Sequence, residues 1–570
     1  MLNLKQAIAD DIAKAAGEEV DVVVKRTDDP SHGDYASPVA LSLAKKLKKN
    51  PMDLVKEIVG KMEKKEYIGR IEAAEPGFLN VWISPGWMTA RLDNVVQEDL
   101  NASMAGDPST SLGVKGKSVS LEFVSANPTG PMTLGNARTA FAADTLANVF
   151  ECAGYNVTRE YYINDAGRQV QRLGESVLRR ILQAQPFDEA QGKGAEIDFP
   201  EDLYQGGYIA ELGETIAERW REDEGKVFEP ADLEDKEILE KISREAVDLA
   251  QAANRKTAEE VLQVEFDVWM SERKLREDGK VEASLEKLRR AGKTYKKDGA
   301  EWLKTSEHGD DKDRVLVKKD GEYAYLAPDI AYFEDKFERK FDKIFTFLGA
   351  DHLGHVPSML AAMDMLGYDT AKLVYLVASW VRFTQAGEDV KISKRAGQIV
   401  TPKDLIDEVG YDVARFFMLQ YDLKSHMLFD LALAKERSEK NPVYYVQYAY
   451  VRLQSILRRA KEEGVIKDLG ETIELTSRAE LTHTTEINLM KQIYRLPEVV
   501  SDIAANYAVH GLNYFAHDLA QAVHVFYKHV PVLAEENEEV RNHRLQLVLA
   551  AKQVLGKTLE LLGIGKPDVM

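Results

Sequence analysis

The segment Pro128–Arg138, PTGPMTLGNAR, has the residues of a turn that approaches a phosphate-bearing ligand. Gly130 and Gly135 carry no side chain, so the backbone can come close to a ligand at both positions. A helix that starts here would point its first N–H groups at an anion. The spacing of the two glycines is that of a phosphate loop, but Asn136 stands where such a loop has lysine. A plain strand-to-helix turn is the alternative interpretation.

A second segment, Val390–Gly397, has the sequence VKISKRAG and carries Lys391 and Lys394. Gly387 precedes it, and glycines at both ends indicate a mobile loop. Ammonium groups on such a loop can neutralise the charge of a triphosphate and then release pyrophosphate. Considered alone, the segment fits an ordinary exposed lysine-rich loop better than a catalytic one.

The elements around the glycine-bearing turn indicate how it is positioned. Val119–Val124 alternates as a strand, and apolar residues then recur at helical spacing until Gly154, which is suited to end a helix. Val157–Ile163 is the next predicted strand. Strand, helix and strand, with a nucleotide-like turn at the first crossover, predict an α/β fold with a doubly wound parallel sheet.

The length of 570 residues is too great for a single core, and we expect roughly three to five domains or large insertions. Residues 1–110 are predicted to form a small N-terminal α/β domain. Residues 111–430 are predicted to form the catalytic domain, in which residues 175–300 are an acidic, largely helical insertion. Residues 431–570 are almost wholly helix-periodic and predict a C-terminal helical bundle.

The composition is that of a soluble globular protein, with 44% hydrophobic and 30% charged residues. No apolar run approaches the roughly 20 residues that span a bilayer. The first residues form an amphipathic, acid-containing pattern that is neither a secretion signal nor a transit peptide. Cys152 is the one cysteine, which rules out an intramolecular disulfide and a cysteine-rich zinc site. We therefore expect a cytoplasmic protein.

The net charge of −20 argues against indiscriminate binding to a nucleic-acid backbone, because like charges repel. The net charge does not exclude a nucleic-acid partner that contacts local basic patches of the protein. Ala44–Asn50, with four lysines, is one candidate patch. A solvated helix face is the favoured interpretation of that segment taken alone.

The quoted segments resemble those of one enzyme family. Ser125–Asn136 is similar to the SANPTGPLHVGH stretch of bacterial arginyl-tRNA synthetases, which overlaps the HIGH signature of class I synthetases. Val390–Gly397 resembles the KMSKS loop of the same enzymes. Further similar segments follow in family order along the whole chain: Gly33–Ala36, Thr158–Gly167, Phe266–Trp269, Asp329–Tyr332, Gly349–His352, Asn441–Tyr448 and Leu562–Met570.

The resemblance implies an arginine–tRNA ligase with a Rossmann-like, HUP-type catalytic domain. Such an enzyme forms arginyl-adenylate from L-arginine and ATP and passes the arginyl group to the 3′-terminal adenosine of tRNA(Arg). Adenylation needs no protein nucleophile, so the work is positioning and charge stabilisation. The resemblance implies catalytic roles for Thr133, Asn136, Lys391 and Lys394. It implies ATP binding by Gly130, Gly135, Asp351, His352 and Ser393.

The resemblance also implies an arginine pocket, because residues of this chain match the positions of the family's pocket residues. Glu122 on the first strand and Asp329 after the insertion match acids that hold the guanidinium, which offers five N–H donors. Tyr325 matches a tyrosine that lines the substrate side chain, and Asn127 matches a residue at its amino-acid end. We expect Pro328 at the first position of a helix, with Asp329 in its first turn. The alternatives are a solvated Glu122 and an Asp329 that only complements the helix dipole.

The chain departs from the family pattern at three places. Thr133 and Asn136 stand where the signature has histidines, and Leu353 replaces a histidine often found after His352. A threonine hydroxyl can donate one hydrogen bond, but it cannot carry charge. A catalytically silent tRNA-binding paralogue and a class I enzyme for another amino acid are therefore the rival hypotheses.

The remaining expectations concern partners. Mg²⁺ is expected to enter with ATP, and no dedicated protein metal site is predicted. By resemblance, the N-terminal domain contacts the tRNA elbow and the C-terminal bundle binds the anticodon. Tyrosines at the head of the bundle are more often core residues than base-stacking platforms; they are Tyr444, Tyr445, Tyr448 and Tyr450. We expect a monomer that binds no membrane.

Overall fold

The structure is a computed structural model that describes residues 1–17, 20–97, 100, 104, 114–185, 197–385, 388–389, 401–468, 473 and 481–570. These residues divide into two units. The first unit comprises Met1–Lys117, Asn148–Asn156 and Lys435–Met570. The second unit comprises Ser118–Ala147 and Val157–Ala434.

The N-terminal part of the first unit is a four-stranded antiparallel sheet in the order β1-β2-β4-β3. Its strands are β1 Lys25–Arg26, β2 Tyr35–Ser37, β3 Ile68–Ala74 and β4 Phe78–Ile83. The helices of this part are Leu4–Ala16, Val39–Leu47, Pro51–Lys61, Pro85–Ala90 and Leu92–Gln97. The four lysines of the predicted patch are exposed at the end of the second helix, as a solvated helix face requires.

The C-terminal part of the first unit is a helical bundle, as predicted. Its helices are Pro442–Glu462, Thr484–Ile493, Leu496–Asn506, His510–His529 and Glu538–Leu562. Ion pairs join the bundle to the N-terminal part within this unit. Lys491 Nζ lies 2.6 Å from Asp34 Oδ1, and Lys5 Nζ lies 2.7 Å from Asp502 Oδ1.

The second unit is built on a five-stranded sheet in the order β12-β11-β5-β6-β7. This sheet contains five of the unit's strands. All the strands of the unit, in chain order, are β5 Ser118–Glu122, β6 Asn156–Ile163, β7 Val268–Ser271, β8 Thr294–Lys297, β9 Ala300–Leu303, β10 Arg314–Val317, β11 Lys343–Gly349, β12 Leu373–Ala378, β13 Val381–Gln385, β14 Glu388–Asp389 and β15 Met427–Asp430. The pairs β11–β12, β11–β5 and β6–β7 are parallel. The predicted doubly wound fold is therefore confirmed.

The order of strands reverses between β5 and β11, since β6 and β7 extend the sheet on one side and β12 on the other. The helix Leu134–Cys152 connects β5 to β6, and Val356–Met365 lies between β11 and β12. In open sheets of this kind, ligands bind at the carboxyl ends of the strands beside such a reversal. The predicted signature segment follows β5 at this place.

The predicted insertion is helical for only part of its length. Three helices, Arg168–Ala184, Gly207–Asp223 and Lys236–Lys256, pack on one another through apolar side chains. Val268–Ser271 then returns to the main sheet as β7. The sequence did not show this return, because a strand of four half-buried residues lacks a clear alternation.

The other elements of the second unit support the sheet. Strands β8, β9 and β10 form a separate antiparallel sheet, while β13, β14 and β15 form another. The remaining helices are Glu272–Glu277, Lys280–Arg290, Leu326–Glu338, Pro402–Val409, Tyr411–Leu419 and Leu431–Lys435. Among the residues described, no helix is both long and apolar enough to cross a bilayer.

Candidate active site

The site lies at the carboxyl edge of the parallel sheet, where β5 ends at Glu122. β5 pairs with β11, and Thr346 is opposite Glu122 in the register. The backbone after β5 then enters the left-handed region, with φ of 67° at Val124 and 38° at Ser125. For residues other than glycine, such conformations cost about 1–3 kcal/mol each and persist only where the surroundings hold them.

We call residues 124–133 the signature loop. Side chains from outside the loop hold its backbone carbonyls. Asn136 Nδ2 donates to Val124 O at 3.3 Å, and the Tyr161 hydroxyl donates to Ala126 O at 3.0 Å. Hydrogen bonds to the carbonyls of residues 129 and 130 come from the helical insertion: the Tyr208 hydroxyl and Asn254 Nδ2 donate at 2.6 and 3.2 Å. Hydrogen bonds therefore hold the strained backbone of the signature loop at four carbonyl groups.

Thr133 and Asn136 bond to each other at the start of the helix Leu134–Cys152. Asn136 Oδ1 accepts from the Thr133 backbone N–H and from the Thr133 hydroxyl, both at 2.9 Å. The Asn136 N–H points back to Thr133 Oγ1 at 3.4 Å. This reciprocal arrangement is that of a capping box. The two residues that replace the signature histidines thus stabilise the helix end, while Thr133 stays exposed to a ligand.

The two glycines of the segment differ in what surrounds them. A Cβ at Gly130 would lie 3.2 Å from the Tyr208 hydroxyl oxygen, so the absence of a side chain admits the tyrosine. A Cβ at Gly135 would meet only Thr133 Oγ1, at 3.5 Å. The space beside Gly135 is therefore open to a ligand, whereas Gly130 accommodates the protein's own side chain.

Glu122 has a buried partner that the sequence did not reveal. Lys336, on the helix Leu326–Glu338, is 0% exposed, and its Nζ donates to Glu122 Oε2 at 2.6 Å. The second oxygen, Oε1, accepts from the Ser125 hydroxyl at 3.4 Å. Glu122 is therefore not a solvated strand residue, and one of its two oxygens is taken by a protein cation.

A second buried acid anchors the same region. Glu160 on β6 accepts two hydrogen bonds from Arg339, at 2.8 and 2.9 Å. It also accepts from Ser120 Oγ and the Tyr332 hydroxyl. Burial raises the pKa of Glu160, but Lys336 and Arg339 outweigh it and lower the pKa overall. Glu160 is fully paired inside the protein, so it is not free to bind a substrate cation.

Asp329 differs from both acids, because it has no hydrogen-bond or ion-pair partner among the described residues. Burial of its carboxyl group, followed by the charges of Glu272 and Glu122, raises its pKa to about 8. Lys336 acts in the opposite direction. Asp329 is half-buried, and an unpaired carboxyl group in such a position among other acids is suited to receive a cation.

The helix that carries Asp329 begins earlier than predicted. It starts at Leu326 with Tyr325 as the preceding cap residue, so Pro328 is its third residue rather than its first. Proline is tolerated there because the first N–H groups of a helix have no intrahelical partner. Asp329 still lies in the first turn. The Tyr325 side chain is 65% exposed, which leaves its ring available to a ligand.

Aromatic side chains and a further acid, Glu272, lie near the carboxyl group of Asp329. The rings of Tyr162 and Tyr332 stack at 4.6 Å. The hydroxyls of Tyr162 and Tyr375 are buried and find no partner among the described residues. Burial, and then nearby acids including Asp329, raise the pKa of both tyrosines. Glu272 is also buried, and burial raises its pKa although it pairs with Arg276. Sequence reasoning missed these residues.

The other predicted ligand residues lie at the same edge. Asn127 is exposed in the signature loop. Asp351 and His352 follow β11 directly, and both side chains are exposed, with His352 Nε2 3.6 Å from Asp351 Oδ2. No cluster of three metal-ligating side chains occurs in the described part of the chain.

The predicted lysine loop lies outside the described residues, so the positions of Lys391, Ser393 and Lys394 stay predictions. The strand before it is described: β13 pairs with β15 in parallel. Arg138 reaches this region from the helix Leu134–Cys152, which we call the signature helix. It is 0% exposed, and its guanidinium donates to the carbonyls of Ser379, Asp422 and Ser425 at 2.7, 3.0 and 3.0 Å.

Comparison with known proteins decides the family. Residues 103–420 match the family model of the class I (R) tRNA synthetase catalytic domain. Residues 2–83 match the arginyl-tRNA synthetase N-terminal domain, and residues 446–570 match the DALR anticodon-binding domain. The chain belongs to the arginyl-tRNA synthetase family.

Curated relatives of this family match along the whole chain. The chain is 40% identical over 579 residues to arginine–tRNA ligase 1 of Halalkalibacterium halodurans, covering 100% of both proteins. It is 40% identical over 574 residues to the arginine–tRNA ligase of Bacillus subtilis, covering 100% of this chain and 98% of that protein. The solved arginyl-tRNA synthetase of Thermus thermophilus shares the fold, with a TM-score of 0.74, 20% identity and 100% of both chains covered.

The synthetase's bundle carries the predicted tyrosines on its first helix, where each is half-buried rather than in the core. Tyr444 and Tyr448 stack at 6.1 Å, and Tyr445 stacks on His517 at 5.1 Å. The Arg452 guanidinium lies 4.5 Å from the centre of the Tyr448 ring. None of the four tyrosines is fully buried, and the preference for packed core residues over base-stacking platforms stays a prediction.

Proposed function

We propose that the protein joins L-arginine to tRNA(Arg) with ATP. The arginine carboxylate attacks the α-phosphorus of ATP, arginyl-adenylate forms and pyrophosphate leaves. A hydroxyl of the 3′-terminal adenosine then attacks the activated carbonyl, and AMP leaves. The observation that carries the proposal is the half-buried, unpaired carboxyl group of Asp329, whose pKa is raised by desolvation and by neighbouring acids, in a chain of the arginyl-tRNA synthetase family.

The proposed arginine pocket contains two acids with unequal roles. Asp329 has both oxygens available and takes the guanidinium as its main partner, in the fork geometry that carboxylates and guanidinium share. Glu122 contributes Oε1, because Lys336 occupies Oε2. The exposed ring of Tyr325 lines the methylene chain, and Asn127 holds the amino-acid end. An ammonium substrate would leave these acceptors unmet, so lysine is rejected by roughly 10⁴-fold.

The adenylation machinery is positional and electrostatic. The N–H groups at the start of the signature helix, beside the open face of Gly135, stabilise the phosphates. Thr133 and Asn136 keep that helix end in place and are the polar side chains nearest to it. Lys391, Lys394 and Ser393 of the predicted lysine loop bind the phosphates, and Asp351 and His352 complete the ATP site. Mg²⁺ enters as part of the MgATP substrate.

The proposal assigns the tRNA to the two ends of the chain. Residues 1–110 contact its elbow, where the exposed lysines of Ala44–Asn50 meet phosphates. Residues 431–570 bind the anticodon loop, whose unpaired bases suit the half-exposed tyrosines and Arg452. The protein acts as a monomer in the cytoplasm, in accord with a chain that has one cysteine and so forms no intramolecular disulfide.

Arginine-dependent exchange of pyrophosphate into ATP, with and without tRNA, tests this proposal against both rivals. We expect exchange with arginine alone among the amino acids, and only when tRNA(Arg) is present, because family members need tRNA to complete the site. Exchange with another amino acid would identify a different class I enzyme. No exchange with any tRNA would identify a silent tRNA-binding protein. Strong exchange in nuclease-treated enzyme would refute the tRNA requirement alone.

A further inference from the structure

Two helices of the insertion reach into the signature loop with one side chain each. Tyr208 is the second residue of the helix Gly207–Asp223, and its hydroxyl donates to Thr129 O at 2.6 Å. Asn254 lies near the end of the helix Lys236–Lys256, and its Nδ2 donates to the next carbonyl, Gly130 O, at 3.2 Å. Consecutive carbonyls of the loop are thus bonded by residues from two separate helices.

Glycines make the approach of Tyr208 possible. A Cβ at Gly130 would lie 3.2 Å from the Tyr208 hydroxyl oxygen and 3.4 Å from its ring carbon Cζ. A Cβ at Gly206 would lie 2.3 Å from Cε1 of the same ring, a distance that no side chain tolerates. The tyrosine therefore folds back over Gly206 and lies against the open face of Gly130. This packing fixes the direction of its hydroxyl.

Asn254 is supported by an equally close helix contact. Its side chain is nearly fully buried, with 1% exposure. Its helix packs so tightly on Arg168–Ala184 that a Cβ at Gly174 would lie 1.9 Å from Ser243 Oγ. The helix that presents Asn254 therefore cannot shift toward its neighbour without a clash, and the amide is held in a rigid frame.

We propose that Tyr208 and Asn254 are positioning residues of the synthetase, which makes the helical insertion part of the catalytic apparatus. The two donors keep the strained signature loop in the conformation that aligns Asn127 and the start of the signature helix with the substrates. Neither residue touches a substrate. The inference rests on the proposed ligase activity, but the bonds that support it are independent of the arginine pocket.

The expected consequence is a loss of rate rather than of binding. A loop that moves by about 1 Å can lower the rate about a hundredfold, because the reacting atoms lose their alignment. Loss of one donor leaves the loop bonded at other points, so we expect a turnover decrease of about tenfold for each single variant. The Michaelis constant for arginine should change less than turnover does, because both acids that hold the guanidinium lie on other elements and only Asn127 of the proposed pocket lies in the loop.

The test uses Tyr208→Phe, which removes only the hydroxyl, and Asn254→Ala, which removes the amide. Tyr204→Phe is the matched control, since it deletes a hydroxyl from the same short region. Four properties are measured in the full-length protein: the rate of single-turnover adenylation with saturating tRNA, the Michaelis constant for arginine, the thermal unfolding midpoint, and hydrogen exchange of the amides in residues 124–136. We expect slower adenylation and faster exchange in both variants, with an unchanged midpoint for Tyr208→Phe and no effect of Tyr204→Phe.

The double variant adds a second criterion. Because both side chains hold one loop, its loss of rate should differ from the product of the two single losses. Wild-type turnover in Tyr208→Phe and Asn254→Ala would overturn the positioning role and leave the ligase activity intact. A change in the Michaelis constant alone would also overturn it. If wild type charges no tRNA, the proposed activity fails, and unchanged hydrogen exchange in the variants would then overturn the positioning separately.

Discussion

Arginine binding should release a proton from Asp329, and the Michaelis constant for arginine should therefore fall as the pH rises toward 8. Burial and the charges of Glu272 and Glu122 raise the pKa of Asp329 to about 8, so the group is mostly protonated at neutral pH. A guanidinium beside it favours the carboxylate and lowers the pKa in the complex. The proton must then leave on binding, which makes affinity greater at higher pH.

The pKa sets the size of the effect. With a pKa of about 8, the free group is about 3% ionised at about pH 6.5 and half ionised at pH 8. The Michaelis constant for arginine should therefore fall about 16-fold over this interval, equivalent to about 1.6 kcal/mol. Above pH 8 the curve should flatten, since most of the carboxyl groups are then ionised in the free enzyme.

The assay is steady-state charging at several pH values from about 6.5 to 8.5, with saturating ATP and tRNA. The Michaelis constant for ATP, measured in the same way, is the control and should lack this dependence. Calorimetric titration of arginine in two buffers of different ionisation enthalpy counts the released proton directly. Asp329→Asn should weaken arginine binding and abolish the pH dependence. A Michaelis constant for arginine that stays flat in wild type would refute the reasoning.

Three further predictions concern side-chain contacts around the site. Glu122→Gln should lower the free energy of unfolding, measured by chemical denaturation, by about 3–5 kcal/mol, because Lys336 would lose its anionic partner. An unchanged denaturation midpoint would contradict this pairing. Thr133→Ala should lower stability by about 1 kcal/mol, because a helix cap is lost, and should lower turnover more than it weakens ATP binding. Thr133→Ser keeps the hydroxyl and should resemble wild type. Equal behaviour of the two variants would show that the hydroxyl has no such role. Arg138→Lys should lower both the adenylation rate and the unfolding midpoint, because one ammonium cannot reach three carbonyls in the guanidinium's fork geometry; wild-type values for both would exclude a bridging role.

Local sequence patterns predicted the parallel sheet and the bundle well. Strand β5, the signature helix and strand β6 each carry a clear periodicity, and Gly154 ends the helix with φ of 95° as expected. These features depend on neighbouring residues in the chain. Strand β7 was missed, because its few half-buried residues acquire their role only by pairing with β6.

The contacts within the site were harder to predict, because they join distant parts of the chain. Glu122 and Lys336 are 214 residues apart, and nothing local marks them as partners. One signal was present: Lys336 follows Asp329 by seven residues, which places both on one helix face. The bonds from Tyr208 and Asn254 to the signature loop had no such signal, since each depends on how the insertion packs.

The most direct test of the account is the identity of the amino acid that the enzyme attaches to tRNA. Purified protein is incubated with MgATP, total tRNA and an equimolar mixture of the standard amino acids, and the aminoacyl-adenosine released by nuclease is identified by mass spectrometry. We expect arginyl-adenosine alone from wild type and a strongly reduced amount from Asp329→Asn. Another aminoacyl group, or no aminoacyl group with any tRNA, would contradict this expectation.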